Sequence, residues 1–194
     1  MDAMRVRWFP LIAALVLGAG CAGGPSVKPV ETLDERSGVT VGSLADPIEL
    51  VQSDPTEVFV AGKRPSFALL GPVEWDQMGV ISEGLWIHIA PVDARPIGDI
   101  RAPAAITLLL DEQPLMLSAI EAPQLGREPY KRAAPWGHAA YFTLGTQLLK
   151  RMAASRDIKL QIRTQDDSII VYSAAADAPR AIAEYMKDRG ITAE

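Results

Sequence analysis

The sequence predicts an α+β domain: a mostly antiparallel β-sheet, or a sandwich, built from hairpins, with two helices in the C-terminal third. Three observations predict it. From Val39 onward, short apolar runs alternate with turn residues. The links between runs are too short for parallel crossovers. Apolar residues take helical spacing only after Thr143.

The strands follow in chain order. Val39-Thr40-Val41 reads as an edge strand. Thr56 to Ala61 is β-branched and aromatic, and Gly62-Lys63-Arg64-Pro65 turns it into Ser66 to Leu70 as a first hairpin. Pro72 and Gly79 mark the stretch around Glu74-Trp75-Asp76 as a surface loop. Leu85 to Val92 is the clearest strand. Ala104 to Leu110 and Leu115 to Ile120 flank Asp111-Glu112-Gln113-Pro114, a second hairpin, and Ala139 to Phe142 adds a further strand. Ile158, Leu160 and Ile162 alternate with Lys159, Gln161 and Arg163, as in a half-buried strand. Gln165-Asp166-Asp167 then turns the chain into Ser168 to Tyr172. The chain has no asparagine, so its turns rest on Gly, Pro and Asp.

Leu144, Leu148, Leu149 and Met152 share one helical face, with Thr143 as the expected cap and Lys150-Arg151 towards the C-terminal end. Asp177 is the expected cap of the last helix, whose apolar stripe holds Ile182, Tyr185 and Met186. Gly190 supplies a left-handed stop, with Ile191 folding back onto Met186.

The N-terminal residues carry a different signal. Arg5 and Arg7 precede the apolar run Trp8 to Leu17, and Gly18-Ala19-Gly20 leads into Cys21, the one cysteine of the chain. A basic start, a short apolar core and small residues read as an export signal over residues 1–20. The apolar run is shorter than the roughly 20 residues a spanning helix needs. Cysteine at the end of this segment resembles the lipobox of bacterial lipoprotein precursors. The resemblance implies that the Cys21 sulfur is the lipid attachment site, that the peptide before it is removed and that the new amino terminus is acylated. Ala22 after the cysteine, where aspartate would stand for retention, implies sorting to the outer membrane, facing the periplasm. Two or more acyl chains hold a protein stably on a bilayer. Residues 21–37, with Gly23, Gly24, Pro25 and Pro29, have the composition of a flexible tether, leaving 38–194 as a single β-rich domain.

Composition narrows the partners. The chain carries 19 basic and 24 acidic residues, a net charge of −5. Without residues 1–20, which hold Arg5, Arg7 and Asp2, the counts are 17 and 23, a net −6. An acidic body argues against nucleic acid, whose phosphates attract clustered Lys and Arg. With Cys21 committed to lipid, no disulfide forms within the monomer, and stability rests on burial.

Two aromatic–imidazole pairs are the candidate binding residues: Trp86 with His88, and Trp136 with His138. Residues i and i+2 of a strand share a face, so each pair would point one way, leaving Leu85, Ile87 and Ile89 as the core face. Together the pairs would line a groove for a carbohydrate or peptide; separately, they are packing tryptophans and backbone-bonded histidines. Structural zinc wants four ligands, usually with cysteines, and no HxH or HExxH spacing is present, so no metal or cofactor is expected. No GxSxG, SxxK or Cys–His frame appears either. Glu74 and Asp76 are the best carboxylates for acid work, yet read as solvated. Arg127 to Arg132 is a basic island in an acidic chain, suited to an anionic partner.

The functional expectation is a membrane-anchored envelope lipoprotein whose periplasmic domain is a non-enzymatic binding or structural module for an envelope protein or cell-wall partner. The alternatives are a carrier holding an apolar ligand between sheet and helices, or an envelope-polymer hydrolase using His88, His138 or Glu74.

Overall fold

The computed structural model describes residues 28–53, 67–90, 105–135, 137–163 and 169–192. They form β1 (Pro29–Asp34), β2 (Val39–Leu44), β3 (Ile48–Gln52), β4 (Phe67–Gln77), β5 (Val80–Ala90), β6 (Ala105–Leu110), β7 (Gln113–Ile120), β8 (His138–Thr143), α1 (Thr146–Ala154), β9 (Ile158–Arg163), β10 (Ile169–Ala174) and α2 (Ala178–Asp188). The α+β antiparallel reading holds, with both helices late in the chain. The sheet is neither open nor a sandwich. Its order is β1-β2-β4-β3-β10-β9-β6-β7-β8-β5, and β5 pairs again with β4, so eight strands close a barrel. Closure removes the sheet edges around the ring and leaves β1 as the terminal strand of the β1–β2 flap.

The pairing registers sort side chains onto two faces. One face runs through Leu50, Leu70, Leu85, Ile87, Phe142, Leu108, Leu160 and Tyr172, all 0–1 % exposed. This is the barrel interior. Leu148, Leu149 and Met152 of α1 and Ile182, Tyr185 and Met186 of α2 belong to the same core. The opposite face is solvent-facing on β7, β9 and β3, where Met116, Arg163 and Glu49 are exposed. On β4 and β5 it is buried as well: Leu69, Val73, Trp75, Trp86 and His88 all lie under cover.

Several expectations are corrected by tertiary pairing. β1 takes residues 29–34 out of the stretch read as tether, because β2 supplies its hydrogen-bonding partner despite a polar sequence. Residues 39–41 are not at an edge: β2 lies between β1 and β4. Residues 56–61 lie outside the described residues, and Phe67–Leu70 pair with β3 and β5. The stretch around Glu74-Trp75-Asp76 is strand, not loop, and Trp75 is 1 % exposed. Pro72 is accommodated because β2 covers residues 73–76 of β4 and β3 covers 67–70, so no ladder bond is asked of residue 72 on that side.

The β6–β7 turn is shorter than expected, just Asp111-Glu112, both with positive φ as a two-residue hairpin turn requires. Thr143 is the last residue of β8, its hydroxyl donating to the Ser118 carbonyl, and Gly145 caps α1 through its backbone oxygen. Asp177 occupies the N-cap of α2 without a side-chain capping bond. The C-terminal stop forms as expected: Gly190 has φ +67 and the Ile191 amide donates to the Met186 carbonyl at 2.9 Å.

Candidate functional site: a groove beneath the strap

Residues 121–135 and 137, between β7 and β8, form a strap over the outer face of β4 and β5. Tyr130 is its anchor. The ring is 3 % exposed and stands 5.1 Å from Trp86, and its hydroxyl donates to the Pro72 carbonyl at 2.7 Å while accepting the Leu44 amide at 3.0 Å. Burial pushes the phenol far above its usual range, so it stays protonated and keeps donating. Gly71 makes this approach possible: a Cβ there would lie 2.3 Å from the Tyr130 ring.

The second anchor is Asp34, at the end of β1. One carboxylate oxygen accepts the amides of Arg36 and Ser37, both at 3.0 Å, and tightens the β1–β2 turn. The other accepts the amides of Gly126 at 2.6 Å and Arg127 at 3.2 Å, tying the strap to the flap. The Ser37 amide first, then those of Gly126 and Arg127, hold this carboxyl below the ordinary carboxylate range against partial desolvation.

Between these anchors lies a groove of about 520 Å³. One wall is Thr32, Leu33 and Asp34 with Val41; the other is strap residues 127–132. Its charges do not cancel locally. Asp34 is taken up by four backbone amides. Glu128 is held by Arg132, whose Nε lies 3.0 and 2.8 Å from the two carboxylate oxygens. Arg127 and Lys131 make no ion pair among the described residues. The lining charges, Arg127, Lys131 and Arg132 against Asp34 and Glu128, leave a net +1 beside a strand edge.

The sequence-nominated residues are distributed as follows. Trp86 and His88 share the outer face of β5, their rings stacked at 5.7 Å, and both are 0 % exposed beneath the strap. Neither His88 ring nitrogen has a hydrogen-bond partner among the described residues. Burial first, then the positive field of Arg132, lower its pKa from the ordinary histidine value; Glu128 and the backbone at His138 oppose this. Gly137 must lack a side chain here, since a Cβ would fall 2.2 Å from the imidazole. His138 pairs with Ile89, belongs by register to the other face and is exposed. Trp136 lies outside the described residues. Glu74, on the interior face, accepts a 2.9 Å bond from Arg189. Glu74 and His88 therefore stand on opposite faces of the sheet and do not converge. Among the described residues, no group of three or more metal-ligating side chains gathers.

Sequence reading missed the role of Arg189. Its guanidinium passes over Gly42, where a Cβ would sit 1.8 Å from a terminal nitrogen, and binds Glu31 at 2.6 Å as well as Glu74. It also lies 5.7 Å from the Tyr185 ring centroid. This clamp joins the end of α2 to β1 and β4. No local pattern announces it, because its partners are 158 and 115 residues away.

No described helix is long and apolar enough to cross a membrane. Comparison of the chain with protein-family models, curated proteins and solved structures finds no match in any of the three.

Proposed function

We propose that this chain is a membrane-tethered, non-enzymatic binding module of the bacterial cell envelope. Cys21 carries the lipid that fastens it to the outer membrane on the periplasmic side, and the strap groove receives an envelope protein or cell-wall partner. The observation that supports the reading best is the groove itself. It is framed by the Tyr130 and Asp34 anchors and lined by Arg127 and Lys131, which have no ion-pair partner among the described residues. Preorganisation of this kind lowers the ordering cost of association. Histidine chemistry has less support, since His88 is sealed from solvent and His138 stands apart from it.

Crosslinking living cells and purifying the chain from their envelopes tests this. One defined partner should be enriched, and the double substitution Arg127→Glu/Lys131→Glu should lose it. Recovery of bulk membrane protein alone, or a partner indifferent to the charge reversal, would contradict the proposal.

A further inference from the structure

β1 ends the strand order, and its pairing with β2 shows which backbone groups remain available. The Ala45 amide donates to the Lys28 carbonyl, so residue 28 points its hydrogen-bonding groups toward β2. In an antiparallel pair this alternates. Val30, Thr32 and Asp34 therefore also face β2, whereas Pro29, Glu31 and Leu33 direct theirs outward. Pro29, lacking an N–H, sits where only an edge strand tolerates it. Glu31 and Leu33 thus present two amides and two carbonyls beside the groove, and no other strand pairs with β1 among the described residues.

Resting on the proposed function, we propose that the groove is a strand-addition site. An extended peptide segment with acidic side chains pairs antiparallel or parallel with the outer edge of β1, bonding to Glu31 and Leu33. Main-chain bonds of this kind supply affinity without sequence demand, and alternate side chains supply selectivity. Selectivity here is set by charge. Glu128 is paired with Arg132 and Glu31 with Arg189, and the Asp34 carboxylate is turned onto the strap amides, so Arg127 and Lys131 outnumber it and meet the incoming side chains. A basic segment would place its cations against them.

The test uses the full chain in detergent micelles and two capped hexapeptides, one alternating valine with glutamate and one alternating valine with lysine. The glutamate peptide should bind about tenfold more tightly, the size expected when exposed pairs of this kind change from repulsion to attraction. On binding, the Glu31 and Leu33 amides should become protected from exchange. Leu33→Pro, which deletes an outward N–H and no bond to β2, should abolish binding with an unchanged circular dichroism spectrum. Arg127→Glu/Lys131→Glu leaves the backbone intact and should reverse the preference between peptides. Equal binding of the two peptides, no binding of either at millimolar concentration, or protection elsewhere overturns strand addition. An envelope partner captured as strongly by Leu33→Pro as by the unaltered chain also overturns it, while leaving the proposed function standing.

Discussion

Tyr130→Phe removes one oxygen from the strap and strands two backbone groups at once. The Pro72 carbonyl loses its 2.7 Å donor and the Leu44 amide its 3.0 Å acceptor. Leu44 is 1 % exposed and Pro72 is buried, so solvent does not readily replace either bond. A buried group left unsatisfied costs about 1–3 kcal/mol. Two such groups put the loss near 3 kcal/mol, allowing for small relaxations of the strap. For a domain of this size that lowers Tm by about 6–12 °C. Urea titration followed by tryptophan fluorescence reads the loss as a lower midpoint at unchanged slope. Trp86, 5.1 Å from the Tyr130 ring, is a local reporter. Tyr141→Phe is the matched control, because its hydroxyl makes no hydrogen bond to a described residue. It should cost under about 0.5 kcal/mol. Equal costs for the two substitutions would refute the claim that the Tyr130 hydroxyl pins the strap.

Two further outcomes follow from the same geometry, and a third from the N-terminal sequence, which lies outside the described residues. His88 binds its proton less readily in the fold than in the open chain, so stability is highest above the ordinary histidine pKa near 6.5 and falls as pH drops through it, by at most about 1.4 kcal/mol per pH unit. His88→Phe should flatten that slope between pH 7.5 and 5 in thermal melts, and an unchanged slope would show that His88 is not its source. Arg189→Ala leaves the partly buried Glu74 without its cation and should cost about 2–3 kcal/mol, less than a fully buried pair because Glu74 is 16 % and Glu31 62 % exposed; Gly42→Val should do similar damage by displacing the guanidinium. Growth on radiolabelled palmitate should label the protein through Cys21, and Cys21→Ser should shift it from the membrane to the soluble fraction; label persisting in the variant would remove the anchor from the proposal.

Local patterns exposed the parts of the fold whose reasons are local. β5, the β6–β7 hairpin, β8, β9, both helical stripes and the Gly190 stop all follow from alternation, helical spacing and turn chemistry. The start of β4 is visible as the run Ser66 to Leu70, but its continuation to Gln77 was hidden because Gly71 and Pro72 punctuate its middle. Both residues answer to distant groups: Gly71 admits the Tyr130 ring, and Pro72 lies at the gap between two partner strands. β1 was hidden for a different reason. A flap strand with exposed Glu31, Thr32 and Leu33 has the composition of a linker, and only pairing with β2 reveals it. The basic island at Arg127–Arg132 is visible in the chain, but its apposition to β1 depends on Asp34 reaching amides 92 and 93 residues away. Likewise, alternation placed Leu85, Ile87 and Ile89 on the core face, yet gave no sign that the strap buries Trp86 and His88 on the other.

The central claim, that the strap groove receives the partner, is tested most directly by a photoreactive amino acid placed at one exposed position at a time. Leu33 lies on the groove wall and is 63 % exposed; Met116 lies on β7, away from the groove, and is 75 % exposed. Irradiation of intact cells should join a single partner to the chain through position 33 and not through position 116. Equal crosslinking at both positions, or crosslinking at 116 alone, would contradict the account.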